Sequence, residues 1–209
     1  DAGLIECTVV VGYQLSYPEQ LIMELKPEEC MKLQEDGLYT CCIKNPKPER
    51  KMLTHGKADG EFIRDNVPMT KEEVREVSIC KLKLYEGAVV YDIGSGTGSI
   101  AVEIAGLSDE IKVLALEYKE EAISLIAQNK EKFELNNIEI VSGKAPDGLE
   151  ELPVPTHAFI GGSGGRMKEI LSALYQKNSQ MRVVINAISM ETICEIKEAL
   201  STFSIQNED

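Results

Sequence analysis

The densest chemical signal in the sequence is the run Val90-Tyr91-Asp92-Ile93-Gly94-Ser95-Gly96-Thr97-Gly98. An apolar stretch ends in an acid, and glycines follow at alternate positions. Ser99-Ile100-Ala101-Val102-Glu103-Ile104-Ala105 then continues with a helical pattern. That order predicts strand, tight turn and helix. Glycine permits positive φ and lets a ligand approach the backbone closely. The turn offers backbone N–H groups at a helix N-terminus, where partial positive charge gathers. A dinucleotide site would use the spacing G-x-G-x-x-G. Here the spacing is G-x-G-x-G, and Asp92 stands two residues before the first glycine. A carboxylate there would repel a pyrophosphate and suits a ligand with a cationic amino-acid end. The plain alternative is a glycine-rich turn with no ligand.

The residues that follow extend the pattern. Lys112-Val113-Leu114-Ala115-Leu116-Glu117 reads as a second strand ending in an acid. It lies roughly 20 residues after the turn, where a ribose-binding carboxylate is expected. Two carboxylate oxygens can accept from two ribose hydroxyls; a solvated strand-end charge is the alternative for Glu117. A third strand, Ile138–Val141, ends in Ser142-Gly143-Lys144-Ala145-Pro146. A fourth, His157–Ile160, opens into Gly161-Gly162-Ser163-Gly164-Gly165. An acid followed by alternate glycines after a strand resembles motif I of the S-adenosylmethionine methyltransferases. That resemblance sets Gly143, Lys144 and Ala145 against an adenine.

The elements that must position these residues follow from spacing. From about residue 59 the sequence alternates strand and helix patterns. Thr70-Lys71-Glu72-Glu73 has capping-box form and predicts a helix start at Thr70. Val74, Val77, Ser78 and Leu82 have the spacing of one buried helix face. Strands are expected near 88–92, 112–116, 138–141, 157–160 and 181–186, and a helix over 191–200. Such alternation implies an α/β fold, a mostly parallel, doubly wound sheet covered on both faces. Ligands then bind beyond the carboxyl ends of the strands. Ser201–Ile205 reads as the start of a further strand. The C-terminus therefore reads as truncated, and Asp1, within an apolar run, as a start inside a larger protein. Residues 1–50 read as a small α+β piece: a strand, a turn at Tyr17-Pro18-Glu19, a helix near Lys26–Leu33 and a strand at Leu38–Ile43. A proline-bearing charged linker, Asn45–Lys51, separates it from residues 51–209.

Composition bounds the partners. The 209 residues suffice for one substantial domain and a small extra piece, and 43% hydrophobic content supports a real core. A net charge of −13 argues against a binder that tracks phosphates along a nucleic acid. No apolar run approaches the ~20 residues that span a bilayer, and no signal peptide is visible. Six cysteines show no paired metal spacing. They read as reduced, mostly buried thiols of a cytoplasmic protein. With two histidines, His55 and His157, neither a histidine-based metal site nor a Ser/His/Asp triad is expected.

Other stretches resemble a narrower group. They are Glu61-Phe62-Ile63-Arg64-Asp65, Val67-Pro68-Met69-Thr70-Lys71-Glu72-Glu73-Val74-Arg75, Asp92–Gly98, Phe159–Gly165 and Val184-Ile185-Asn186-Ala187. In order and content they resemble the decarboxylating precorrin methyltransferases of cobalamin biosynthesis, over about residues 59–205. Gly12–Gln20 and Ile43-Lys44-Asn45-Pro46 are similar to the end of a precorrin C-5 methyltransferase domain. The resemblance implies a Rossmann-like fold, S-adenosylmethionine as methyl donor and S-adenosylhomocysteine as product. It implies methylation of C-15 of a precorrin or cobalt-precorrin, with decarboxylation of the ring C acetate. An electron-rich ring carbon can attack the sulfonium methyl directly, so no protein nucleophile is required.

The same resemblance assigns roles. Asp92 with Gly94, Ser95, Gly96, Thr97 and Gly98 would hold the methionine end, and Glu117 the ribose. Pro68, Met69 and Thr70 would lie across the cofactor, with Gly161 beside it. Gly162, Ser163, Gly164 and Gly165 would meet the tetrapyrrole, with Asn186 as a polar contact. Arg64, Lys71, Arg75 and Arg166 are the candidate partners for its carboxylates. Family members assemble as multimers, which implies a homo-oligomer, without nucleic acid, membrane or metal. The competing expectations are a methyltransferase of another small molecule or of transfer RNA, and a fragment that binds the cofactor without activity.

Overall fold

In the computed structural model, which describes residues 6–33, 36–46 and 55–203, the chain divides into two units, Asp1–Met52 and Leu53–Asp209. In the first, β1 (Thr8–Tyr13) runs antiparallel to both β2 (Leu21–Leu25) and β3 (Tyr39–Lys44). A single-turn helix, α1 (Pro27–Cys30), joins β2 to β3. The sequence reading contains β1, α1 and β3 but lacks β2. Leu21-Ile22-Met23 does not alternate apolar with polar, and Leu21 and Ile22 are both exposed. No period-two signal therefore marks that strand.

The second unit is built on five parallel strands: β4 (Val89–Ile93), β5 (Lys112–Glu117), β6 (Ile138–Ser142), β7 (His157–Ile160) and β8 (Arg182–Ile185). Their order across the sheet is β6-β5-β4-β7-β8. The chain winds outward from β4 to β6, then returns to β7 on the other side of β4. The carboxyl ends of β4 and β7 thus flank the switch point, where open α/β sheets bind ligands.

Alternation along the strands feeds two cores. Val90, Val113 and Ala115 pack with helices α2 (Glu72–Leu82), α3 (Ser99–Ala105) and α4 (Glu120–Lys132) on one face. Tyr91, Ile93, Leu114 and Leu116 pack with α5 (Met167–Lys177) and α6 (Met190–Leu200) on the other. Both faces are covered, so the strands read as continuous apolar runs. Residues 201–203 form a turn rather than a strand start, and the rest of the expected strand, 204–205, lies outside the described residues. No helix among the described residues is long and apolar enough to cross a membrane.

Three expectations are corrected. Helix α2 buries Arg75, Ser78, Ile79 and Leu82, while Val74 and Val77 face outward. The helix is rotated because a charge network takes Arg75 inside. Its guanidinium pairs with Asp59 at 2.7 Å and Glu103 at 3.5 Å, donates to the carbonyls of Thr70 and Lys57, and covers the Phe62 ring. Nor does Thr70 cap this helix. The N-cap is Lys71, and Asp59, from outside the helix, accepts from the Glu72 amide at 3.0 Å. Finally, the cysteines are free but not mostly buried: Cys41, Cys42, Cys80 and Cys194 are exposed.

Removing one partner from a buried ionic network leaves the other charges uncompensated. Arg75→Ala should therefore cost about 3–5 kcal/mol in urea unfolding. Val77→Ser, on the exposed side of the same helix, should stay within about 0.5 kcal/mol of the parent. Equal losses would overturn this account of the rotation.

Candidate functional site

Beyond the carboxyl ends of β4, β5 and β6 lies a cleft lined by Ile93, Gly94, Leu116, Glu117, Tyr118, Gly143, Lys144, Ala145, Gly162, Ser163, Gly164 and Ile170. The turn after β4 forms its inner wall. Leu116 in β5 accepts from both the Gly94 and Ser95 amides, at 3.0 and 3.1 Å, which hangs the turn on the neighbouring strand. Gly94 has φ +71, and a Cβ there would come within 2.8 Å of the Gly162 carbonyl oxygen. Gly96 has φ +59, and a Cβ there would lie 3.2 Å from the Pro68 carbonyl oxygen. Gly98 is the N-cap of α3, backed by Ile126 of α4. Each glycine thus meets a different element: the loop after β7, the segment before α2, and α4.

The two acids sit differently. Asp92 is fully buried, and its Oδ2 accepts from the Ser95 hydroxyl at 2.6 Å. Its Oδ1 has no hydrogen-bond partner. Burial pushes its carboxyl up to about 7; the Ser95 hydroxyl and the Ala101 amide work against this, and Glu117 adds to it. Glu117 lines the cleft. Its Oε2 accepts from the Gly96 amide at 3.0 Å, and its Oε1 from Tyr118 and Lys119 at 2.8 and 3.1 Å. It therefore fixes the turn through three of its about four acceptor sites, and Oε2 keeps one lone pair.

The outer walls come from the other loops. Lys144 extends along Gly164, where a Cβ would lie 3.1 Å from its Cε, and its Nζ is 5.8 Å from the Tyr118 ring centre. It is the one cation among the lining residues. Gly161 bonds back to the Ile93 carbonyl, so the loop after β7 stays against the glycine turn. Arg166 binds Asp147 through both terminal nitrogens and Glu169 through Nε, which ties the loop after β7 to the loop after β6.

The expected residues divide accordingly. Gly94, Glu117, Gly143, Lys144, Ala145, Gly162, Ser163 and Gly164 meet in the cleft. Asp92, Ser95, Thr97 and Gly98 lie at or behind its inner wall, and Gly161 and Gly165 flank its lining. Pro68 reaches Gly96, with Met69 and Thr70 continuing from it toward α2. Arg75 is corrected: it is buried in the network under α2 and faces no ligand. Lys71 is paired with Asp59, Arg166 with two acids, and Arg64 is exposed. Asn186 directly follows β8, where its Oδ1 accepts from Ser78 at 3.2 Å; it is absent from the cleft lining.

Sequence reasoning missed Tyr118, Glu103 and Asn129. Tyr118 follows the strand-end acid directly, a position that could have flagged it. Glu103 and Asn129 gave no signal, because a polar residue within a helix reads as surface. Both hold the segment before α2. Glu103 accepts from the Gly56 and Lys57 amides at 3.1 and 2.7 Å. Asn129 bonds the Ile63 amide and carbonyl, both at 2.8 Å, and the Thr97 carbonyl at 2.9 Å.

The raised Asp92 value has a consequence for stability. The folded state keeps the proton that the unfolded chain releases near pH 4. Stability from this group is complete below that pH, falls as pH rises toward 7 and is level above. Asp92→Asn should remove the slope and raise unliganded stability at pH 8, relative to the parent, by an amount of order 2–4 kcal/mol. Urea unfolding at pH 5 and pH 8 checks this. Parallel pH profiles for the two proteins would show that Asp92 titrates normally.

Comparison with known proteins agrees with this geometry. Residues 61–204 match the family model described as precorrin methyltransferase domain. A probable cobalt-precorrin-6B C(15)-methyltransferase (decarboxylating) of Sulfurisphaera tokodaii is 43% identical over 73% of this chain and 80% of its own. Among solved structures, precorrin-6y C5,15-methyltransferase of Geobacter metallireducens superposes with a TM-score of 0.68 at 36% identity, covering 71% of this chain and 78% of that one. Precorrin 8w decarboxylase of Methanobacterium thermoautotrophicum superposes with a TM-score of 0.64 at 33% identity, covering 72% and 80%. The five-stranded parallel sheet is that of the Rossmann-like methyltransferases, and the chain belongs to the precorrin methyltransferase family.

Proposed function

We propose that this chain binds S-adenosylmethionine in the cleft at the ends of β4, β5 and β6 and methylates C-15 of a precorrin or cobalt-precorrin in cobalamin biosynthesis, with loss of the ring C acetate carboxyl as CO2. The observation that carries this reading is the convergence of Asp92 and Glu117 on one glycine turn at the switch point of the sheet. The donor set fits the cofactor. Glu117 lines the cleft with one acceptor site left on Oε2 for a ribose hydroxyl, and the unpartnered Asp92 Oδ1 behind the wall is an acceptor that a cationic methionine end would satisfy.

Bound there, S-adenosylmethionine supplies an electrophilic methyl group on a sulfonium. The protein's work is alignment and exclusion of water. Gly143, Lys144 and Ala145 flank the adenine, with Tyr118 beside them. Pro68, Met69 and Thr70 lie across the cofactor from the Gly96 side, and Gly161 closes its methyl end. Gly162, Ser163, Gly164 and Gly165 leave room for a bulky macrocycle. Arg64, Lys71 and Arg166 are the candidate partners for its carboxylates, with Asn186 as a polar contact. No side chain need act as nucleophile, since the ring carbon attacks the methyl itself.

Residues 1–50, within the first unit, we read as the end of a precorrin C-5 methyltransferase domain. The Geobacter metallireducens protein bears both the C-5 and C-15 positions in its name.

Calorimetric titration with S-adenosylhomocysteine tests the cofactor site. Micromolar binding is expected for the parent chain. Glu117→Ala should weaken it about tenfold or more, as loss of charge-assisted hydrogen bonds does. Absence of binding by the parent, or equal binding by the variant, would overturn the assignment.

A further inference from the structure

The segment Gly56–Thr70 is held over the glycine turn by side chains of the helices beneath it. Glu103 of α3 takes the Gly56 and Lys57 amides, and Arg75 of α2 takes the Lys57 and Thr70 carbonyls. Lys132 of α4 takes the Glu61 carbonyl. Asn129 differs from these in joining the segment to the glycine turn itself. It is fully buried, and its carboxamide satisfies the Ile63 peptide on both edges, as a neighbouring strand would. Its remaining donor goes to the Thr97 carbonyl inside the turn. Five residues beyond Ile63, the Pro68 carbonyl lies over Gly96.

We propose that Asn129 is a positioning residue for the cofactor: by bonding Ile63 and Thr97 together it sets the spacing between the Pro68–Thr70 segment and the glycine turn. The inference rests on the cofactor reading above. It adds that affinity is controlled from α4, by a residue that does not line the cleft. A carboxamide is needed, because the site requires one acceptor and two donors. Aspartate keeps the shape and the acceptor but sets a second oxygen against two carbonyls.

The test is titration of S-adenosylhomocysteine into the parent, Asn129→Ala, the gentler Asn129→Asp, and Ile138→Ala. Ile138 is buried at the amino end of β6, opposite the cleft, in the core that also takes Phe62 and Met69, so its truncation destabilises that core while leaving the hydrogen bonds to the segment in place. Both Asn129 variants should bind about tenfold more weakly or worse, while Ile138→Ala binds as the parent does. If Asn129→Ala does not fold, Asn129→Asp decides alone. Parent-like binding by a folded Asn129 variant would overturn the proposal and leave the cofactor site standing. Equal weakening in Ile138→Ala would also overturn it, by tracing the effect to general stability. No binding by the parent would instead remove the cofactor reading, and this inference with it.

Discussion

The backbone-to-backbone contact between Gly94 and Gly162 is the constraint on which the rest of the site depends. It occurs where β4 and β7 release their chains at the switch point, so the two loops must leave the sheet side by side. Any side chain at Gly94 would enter the Gly162 peptide, and its φ of +71 is one that L side chains rarely adopt. With that approach fixed, the turn can hang on the Leu116 carbonyl, and Glu117 at the end of the same strand can reach the Gly96 amide. The cleft is the space left between these loops and the ones after β5 and β6.

Around this contact the polar groups are buried in an ordered way. Arg75, Glu103 and Asn129 each come from a different helix, and each meets backbone groups of an irregular segment that has no strand partner to satisfy them. Buried amides and carbonyls are costly when unpaired. Here the helices act as a surrogate ladder for the segment. The arrangement explains why α2 turns a charged residue inward and leaves Val74 and Val77 outside.

Much of the second unit was legible in the sequence, and the failures have physical causes. The strands were readable because a parallel sheet covered on both faces needs continuous apolar runs. The glycine turn was readable because spacing and an adjacent acid together narrow the ligands it suits. The face of α2 was not readable. Periodicity counts apolar positions, whereas the partners of Arg75 lie 16 residues earlier at Asp59 and 28 later at Glu103. Asn129 was hidden for the same reason, with its partner at Ile63 being 66 residues away. β2 escaped because an exposed strand in a three-stranded sheet lacks alternation. Long-range polar pairing leaves no local period to detect.

Glu117 grips the turn through the protein's own backbone. Its carboxylate spans the Gly96 amide on one side and the Tyr118 and Lys119 amides on the other. This wall of the cleft is therefore braced by bonds internal to the protein. A wall braced in this way discriminates poorly between ligands that differ only at an atom it does not hold. On the cofactor reading proposed above, a methyl donor and its demethylated product would meet the same Glu117 carboxylate, so turnover would be sensitive to how quickly the spent molecule is cleared.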